Sequence, residues 1–310
     1  MNKESNRLLG IIEGDTNGPL LVIIGGIHGN EPAGVNALER LFKQLEDDPR
    51  ADVGGTIIGL KGNVRALAQG VRQVNEDLNR ILTPHRIERA FDDTNTKNIE
   101  NCEIRELIGS IRRYIERYRP SELVVLDLHT TTASGGAFSV ASHDPLSESI
   151  AQQLGAPLVR GVLNDITGMT LSYFCEENMG LPCVSIIFES GQHDAPESID
   201  RAMKAIIRCS TAIGMSLPKR LIHVTDDEVI ETNRSLPKLV EVIHTHYTTE
   251  NDGFSLKPGF KNFDPVVHNE RLGKDNDGEI LCPSDGMILM PRYLAQGIEG
   301  YFLVKDISCT

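Results

Sequence analysis

Apolar, β-branched runs alternate with segments of helical periodicity through the first two thirds of the chain, and this alternation most constrains the fold. It is typical of a sheet flanked by helices, so we predict an α/β fold. The strand candidates are LLVIIGG, GTIIGL, ELVVLDLH, AFSVAS, APLVRGV and CVSIIFES. The helix candidates begin near Glu31, Ile99, Pro145, Gly168 and Pro196.

The pattern changes after residue 217, where short alternating strands are separated by turn-forming clusters such as NDG, KPGF and PSDG. We therefore predict a larger α/β domain over residues 1–217 and a smaller β-rich C-terminal domain over residues 218–310. Within the first domain, residues 63–98 are polar and irregular. A segment of this length predicts a loop with a functional role.

The charge of the chain bears on the partners it can bind. Asp and Glu number 44 against 31 Lys and Arg, a formal charge of −13. Without a basic tract, binding to nucleic acid or to an anionic membrane is disfavoured, and a small-molecule or peptide partner is expected. The first residues lack the apolar core of a signal peptide, so we expect a cytoplasmic protein. The oligomeric state stays open, a homo-oligomer included.

The turn in VIIGGIHGNEPAG combines glycines with His28 and Glu31. Neither the dinucleotide pattern G-x-G-x-x-G nor the triphosphate pattern G-x-x-x-x-G-K-[ST] fits it, so a nucleotide site is not predicted. His28 ends an apolar strand, and Glu31 opens the following helix. An imidazole and a carboxylate are good zinc ligands, but a catalytic zinc ion requires a third protein ligand. Taken alone, an H-x-x-E pair is a weak signal, because most such pairs arise by chance, with the histidine capping the helix and the glutamate favouring the helix dipole.

A third candidate ligand is His129, which ends the strand in ELVVLDLHTTT. Both histidines are expected at the edge where α/β sheets bind ligands. Asp127 precedes His129 by two residues and could hydrogen-bond a ligand imidazole, which would set its tautomer. Two such histidines together with Glu31 favour metal binding over a histidine bonded to a carbonyl.

Two further segments carry chemically useful side chains. The segment VRQVNEDLNRIL contains Arg72, Asn79 and Arg80, and guanidinium groups can bind carboxylates or polarise a carbonyl. Glu189 follows the apolar strand CVSIIFES, where desolvation should raise its pKa toward that of a general base. Helix capping or a salt bridge remains the alternative for this glutamate. His193 is expected to be a loop residue rather than a ligand.

The four motifs GGIHGNE, DLNR, DLHTT and FESGQ, in this order, resemble those of the succinylglutamate desuccinylase/aspartoacylase family, relatives of the zinc carboxypeptidases. The resemblance spans most of the chain and implies a central mixed sheet flanked by helices with a smaller C-terminal β-rich domain. It implies one zinc ion per chain, held by His28, Glu31 and His129. It also implies a carbonyl-polarising Arg72, substrate-carboxylate binding by Asn79 and Arg80, and a general base and acid, Glu189.

The implied activity is zinc-dependent hydrolysis of the amide bond of a small N-acyl amino acid or a related amide. A zinc carboxypeptidase acting on peptides and a non-catalytic metal- or ligand-binding protein are the alternatives. Around YFCEENMGLPCVSII no arginine offers a second carboxylate clamp, so N-succinylglutamate and N-acetylaspartate are not assigned as substrates.

The C-terminal part contains three features that the predicted activity does not use. GEILCPSDGMILMPRY resembles half of a lipoyl or biotin carrier barrel, but it lacks an M-K-M-like tripeptide, so a carrier role is not expected. Tyr301 is expected to be a core aromatic residue. His244 and His246 share one face of a strand, and we expect this spacing to be coincidental on an exposed face.

Overall fold

The computed structural model describes residues 6–14, 17–46, 53–92, 98–164, 166–218, 221, 233, 235–249, 251–293 and 299–308. The strands in these ranges are β1 Leu8–Glu13, β2 Leu20–Gly25, β3 Thr56–Lys61, β4 Leu123–Thr131, β5 Phe138–Ala141, β6 Leu158–Arg160, β7 Cys183–Gln192, β8 Leu239–Tyr247, β9 Ser255–Leu256, β10 Asp264–Val266, β11 Arg271–Asp275, β12 Gly278–Leu281, β13 Gly286–Leu289 and β14 Glu299–Asp306. The helices are α1 Ala33–Glu46, α2 Val64–Gln69, α3 Leu78–Ile81, α4 Pro84–Asp92, α5 Ile99–Tyr118, α6 Pro145–Gln153, α7 Thr170–Tyr173, α8 Glu176–Met179 and α9 Glu197–Ala212.

An 11-stranded mixed sheet organises the molecule, with the strand order β1-β3-β2-β4-β7-β5-β6-β8-β14-β13-β10. Its centre is parallel, because β3, β2, β4 and β7 pair in the same direction. β1 pairs antiparallel with β3, and β5 pairs antiparallel with β7. The predicted α/β fold with a central mixed sheet is therefore confirmed.

The central strands are apolar along their whole length because helices cover both faces of the sheet. In β2, Leu21 and Ile23 pack into a cluster that contains α1 and α9. The alternate residues of the same strand, Val22 among them, pack into a second cluster that contains α5. Successive side chains of a strand point to opposite faces, so a strand buried on both sides must be apolar at nearly every position.

All six strands predicted in the first two thirds are formed. The helices predicted near Glu31, Ile99, Pro145 and Pro196 are formed as well, whereas the one predicted near Gly168 is the single turn α7. The first strand, β1, lies outside the predicted set.

The irregular loop predicted over residues 63–98 is wrong where the structure places α2, α3 and α4. Side-chain caps explain these short helices. The Asn63 side chain accepts a hydrogen bond from the backbone nitrogen of Ala66, and Gly70 ends α2 with a φ of 64°. The Asp77 side chain accepts from the backbone nitrogen of Asn79 at the start of α3. Residues 93–97 lie outside the described residues.

The predicted C-terminal strands are also present, and four strands from this part extend the main sheet. β8 pairs in parallel with β6 through Val159 and Val240, and β14, β13 and β10 follow. β9, β11 and β12 form a separate three-stranded sheet. The division between residues 217 and 218 stays a prediction, and residues 219–220 and 222–232 beside it lie outside the described ranges.

Tyr301 is buried in the apolar core of the C-terminal part, as expected. The expectation that His244 and His246 lie on an exposed face is wrong, because both are half-buried. The His246 ring stacks on Tyr301 with 5.0 Å between ring centroids. In the part of the chain that the structure describes, no helix has the length and apolar character needed to cross a membrane.

Candidate active site

His28 and Glu31 lie in the turn between β2 and α1, where glycines allow the helix to approach the strand closely. A Cβ atom added to Gly25 would lie 2.7 Å from the backbone carbon of Gly34 in α1, a distance that only glycine tolerates. Gly26 has a φ of 73°, which turns the chain out of the strand. This close packing places Glu31 Oε1 2.9 Å from His28 Nδ1.

His129 reaches the same point from β4, the neighbour of β2 in the sheet. Its Nδ1 lies 3.2 Å from Glu31 Oε2, which also accepts a hydrogen bond from the Thr130 backbone nitrogen at 2.9 Å. His28, Glu31 and His129 are each no more than 4% exposed. Their candidate ligand atoms all lie within 4.8 Å of one another. The structure thus brings together the three residues that the motifs predict as ligands.

Carboxylates hold the outer nitrogens of both histidines. His28 Nε2 lies 3.0 Å from Asp77 Oδ1, and His129 Nε2 lies 2.9 Å from Asp127 Oδ2. Both Nδ1 atoms therefore face Glu31, and with a metal ion bound the two rings would carry their protons on Nε2 and leave Nδ1 free to ligate. A carboxylate behind the imidazole is typical of histidines that bind metals.

This donor set fits a divalent metal ion. Ligand atoms at about 2.1 Å from a tetrahedral zinc ion lie roughly 3.4 Å apart. The two Nδ1–carboxylate distances, 2.9 and 3.2 Å, are close to that spacing. Two imidazole nitrogens and one carboxylate leave a coordination position for water or substrate, as in catalytic rather than structural zinc sites.

The charges of the cluster stabilise one another. Burial opposes ionisation of Glu31, but the charge of His28 and hydrogen bonds from both histidines outweigh it and hold the pKa well below its usual value. Burial likewise opposes protonation of His129. The charge of Asp127 and hydrogen bonds to Asp127 and Glu31 nevertheless raise the His129 pKa well above its usual value. The pocket therefore favours a negative Glu31 beside positive charge, which a metal ion can supply.

Glu189 lies on β7 directly opposite His129 in the strand register. Glu189 is only 7% exposed, and its Oε2 atom has no hydrogen-bond partner among the described residues. Burial raises its pKa to about 8, and although His129 counters this shift, the negative charges of Glu31 and Asp127 reinforce it. A carboxyl group that titrates near neutral pH can both accept and donate a proton, as a general base and acid must.

Arg72 is anchored beside the cluster by Asp77. Its Nε and one terminal nitrogen donate to Asp77 Oδ2 at 3.1 and 2.7 Å. The other terminal nitrogen lies 3.6 Å from Glu31 Oε1. Arg72 is therefore held with its positive charge next to the candidate metal ligands.

Asn79 and Arg80 have more contacts than the sequence suggests. The Asn79 side-chain oxygen accepts a hydrogen bond from the backbone nitrogen of Thr170 at 2.8 Å, which links α3 to α7. Arg80 forms an ion pair with Glu299 of β14, with a shortest distance of 3.1 Å. The arginine that the motifs predict for carboxylate binding thus already faces a carboxylate from the C-terminal part of the chain.

A cavity of about 100 Å³ opens over the cluster. It is lined by all seven residues predicted for the site, namely His28, Glu31, Arg72, Asn79, Arg80, His129 and Glu189. The lining also contains Arg292 and Glu299, so the C-terminal part contributes to the same cavity.

Sequence reasoning missed several groups around the site. Asp77 lies within the DLNR motif but received no role, although it bonds both His28 and Arg72. Thr170 donates its hydroxyl to Asp127 at 2.6 Å and has no motif to mark it. His193 lines the cavity, and its Nδ1 lies 2.7 Å from the Thr130 hydroxyl. Burial lowers the pKa of His193, so this ring favours its neutral form.

Fold and site together define an α/β protein with a buried His–Glu–His cluster that could hold a metal ion, beside a buried glutamate at the sheet edge. The family model of the succinylglutamate desuccinylase/aspartoacylase catalytic domain matches residues 17–213. The chain therefore belongs to the succinylglutamate desuccinylase/aspartoacylase family.

Curated relatives agree with this assignment. A succinylglutamate desuccinylase from Pseudomonas fluorescens is 34% identical over 287 residues, which cover 88% of this chain and 81% of the relative. A probable aspartoacylase from Nostoc sp. is 27% identical over 145 residues, which cover 45% of this chain and 46% of the relative. In that alignment the chain spans less than half of the relative's length.

Solved structures share the fold. The succinylglutamate desuccinylase of Vibrio parahaemolyticus superposes with a TM-score of 0.62 at 18% identity, covering 95% of this chain and 83% of that one. The product-bound ectoine utilization protein EutE of Ruegeria pomeroyi gives a TM-score of 0.65 at 18% identity, covering 96% and 87%. Murine aminoacylase 3 gives 0.59 at 16% identity, covering 95% and 96%.

Proposed function

We propose that this chain is a zinc-dependent hydrolase that cleaves the amide bond of a small N-acyl amino acid or a related amide. The observation that carries the proposal is the buried Glu189, whose Oε2 has no hydrogen-bond partner among the described residues, beside three candidate ligands. Metal storage alone would not require a carboxyl group prepared to move a proton. The names of the relatives support the substrate class, since they include a succinylglutamate desuccinylase, a probable aspartoacylase and an aminoacylase.

In this proposal His28, Glu31 and His129 hold the ion. When bound there, zinc would lower the pKa of a water molecule and polarise the substrate carbonyl. Asp77 and Asp127 keep the two imidazoles oriented through their outer nitrogens.

Glu189 moves the proton. Its carboxylate accepts a proton from the attacking water, whose oxygen adds to the amide carbon. The same carboxyl group then returns the proton to the amide nitrogen as the carbon–nitrogen bond breaks. The products are a carboxylic acid and a free amine, and the reaction consumes only the amide and one water molecule.

Arg72 stabilises the negative charge that develops on the carbonyl oxygen, and Asp77 holds its guanidinium in place. Asn79 and Arg80 bind the carboxylate of the substrate. For Arg80 this means that the substrate carboxylate competes with Glu299 for the guanidinium group.

The test combines metal analysis with an assay of amine release. We expect about one zinc ion per chain, and chelator-sensitive release of amine from N-acyl amino acids. Glu189→Gln should retain the zinc ion and lose turnover, because the amide keeps the shape of the side chain but cannot carry the proton. His129→Ala should instead lose the metal. Glu116→Gln, an exposed change on α5, is the matched control and should alter neither.

Retained turnover in Glu189→Gln would remove this residue as the base. Amine release from peptides alone would favour the carboxypeptidase alternative. No metal and no turnover after addition of zinc would leave a non-catalytic binding protein.

A further inference from the structure

One wall of the cavity is apolar, and it begins next to Glu189. In the antiparallel pairing of β5 with β7, Phe138 lies opposite Glu189 and Val140 lies opposite Ile187. Residues that are directly opposite, and residues two apart on one strand, share a face of the sheet. Phe138, Val140 and Ile187 therefore lie on the same face of the sheet as the proposed general base, and all four residues line the cavity.

Other elements complete the apolar wall. Met169 before α7, Met290 after β13 and Phe302 of β14 also line the cavity. Met169 and Phe302 belong to one hydrophobic cluster with Phe138, Val140 and Ile187, and Met290 packs against it. This wall is therefore the exposed edge of a packed core, and an apolar group placed on it would be removed from water.

The three arginines that line the cavity each have a partner among the described residues. Arg72 is paired with Asp77, and Arg80 is paired with Glu299. Arg292 donates a hydrogen bond to the Thr248 hydroxyl at 2.6 Å. A carboxylate placed against Phe138, Val140 and Ile187 would lose hydration, and none of these apolar side chains can bind it, which is unfavourable.

We infer that the cavity binds N-acyl amino acids whose acyl group is an uncharged, branched or medium-length hydrocarbon, held against the wall formed by Phe138, Val140 and Ile187. The inference rests on the proposed function. It assigns the two sides of the scissile amide: the amino acid carboxylate lies toward Asn79 and Arg80, and the acyl group lies on the apolar wall. A dicarboxylic acyl group such as succinyl is disfavoured.

The test is a pair of substrates with nearly the same shape. N-(4-methylpentanoyl)-L-alanine and N-succinyl-L-alanine differ in that two terminal methyl groups replace two carboxylate oxygens. We expect kcat/KM to be at least about ten-fold higher for the methylpentanoyl compound, since each buried methyl group contributes about four-fold. A kcat/KM ratio near one, or a preference for the succinyl compound, overturns the inference. In that case hydrolysis of either compound still supports the proposed function.

A second pair, N-acetyl-L-leucine and N-acetyl-L-aspartate, tests the side of the amide to which the wall belongs. Discrimination in this pair without discrimination in the acyl pair overturns the assignment of the wall to the acyl group. If the enzyme discriminates more strongly between methylpentanoyl and succinyl than between leucine and aspartate, the wall belongs to the acyl group. If it discriminates more strongly between leucine and aspartate, the assignment is overturned.

The chain offers a matched pair of variants. Val140 and Val159 are neighbours in the pairing of β5 with β6 and belong to the same hydrophobic cluster, but only Val140 lines the cavity. Val140→Thr should lower the preference for methylpentanoyl over succinyl by about three-fold or more. Val159→Thr should leave that ratio unchanged, even if it lowers the stability of the protein. An unchanged ratio in Val140→Thr overturns the assignment to this wall.

A binding measurement on a variant without turnover tests the inference independently of the proposed catalytic activity. The zinc-loaded Glu189→Gln variant should bind N-(4-methylpentanoyl)-L-alanine at least about ten-fold more tightly than N-succinyl-L-alanine in calorimetry. If no compound is hydrolysed by the unaltered chain, the proposed function fails, and this binding ratio still decides the inference. Equal affinities overturn it.

Discussion

Replacing Glu189 by glutamine should stabilise the metal-free protein at alkaline pH, although the same change abolishes turnover. In the folded chain burial raises the pKa of Glu189 to about 8 from an ordinary value of 4.5. The folded state therefore holds a proton that the unfolded state releases between these pH values. Its contribution to stability is fully present below about pH 4.5 and is lost as the pH rises through 8. At about 1.4 kcal/mol per pH unit, this difference corresponds to roughly 5 kcal/mol.

The assay is urea unfolding of the chelator-treated protein between pH 5 and pH 9, with the variant and the unaltered chain measured side by side. Glutamine cannot ionise, so the variant should gain about 4 kcal/mol over the unaltered chain between pH 5 and pH 9. A constant offset caused by packing of the amide leaves this trend intact. Glu116→Gln removes an exposed carboxylate and serves as the control, with no comparable gain expected.

The absence of a pH trend, or a variant that loses stability toward alkaline pH, would refute the argument that an ionised Glu189 is poorly solvated. It would mean that water or a cationic group reaches the side chain in the folded protein. The orphaned Oε2 atom leads us to expect the opposite.

Three further predictions follow from contacts around the site and in the core. Asp127→Asn removes the carboxylate behind a ligand histidine and should weaken zinc binding about 10- to 100-fold in a chelator competition, whereas an unchanged affinity would exclude this role. Glu299→Gln releases Arg80 from its ion pair and should lower KM several-fold for substrates that carry a carboxylate, with little change in kcat. A higher KM would instead mean that the ion pair helps to bind substrate. Arg7→Met leaves the fully buried Glu103 without one of its cationic partners and should cost about 3–5 kcal/mol in urea unfolding, and a cost below about 1 kcal/mol would show that Arg65 compensates.

Much of the fold was predictable because its central strands are buried on both faces. Runs such as LLVIIGG have no polar position that could face water, so they predict a strand without help from the rest of the chain. β1 was not predicted, because its residues are only partly buried. The short helices of residues 63–98 were not predicted either. Those helices depend on single caps such as Asn63 and Asp77, which a pattern of hydrophobicity does not reveal.

The candidate metal ligands were predictable for a related reason. Parallel strands end at the same edge of a sheet, so histidines that end two apolar runs are expected to be neighbours. His28 and His129 satisfy this rule, with ring centroids 5.0 Å apart.

What the sequence determined by itself is therefore the α/β sheet and the group of residues at its edge, because periodicity and strand ends are local properties. Only the tertiary structure decided the partners of those residues. Arg80 meets Glu299, which lies 219 positions away in the chain, and no local pattern links the two. The apolar wall beside Glu189 likewise exists only because β5 runs antiparallel to β7 and places Phe138 and Val140 on the face of the base. Contacts of this kind depend on strand order and direction, which arise when the whole chain buries its apolar surface at once.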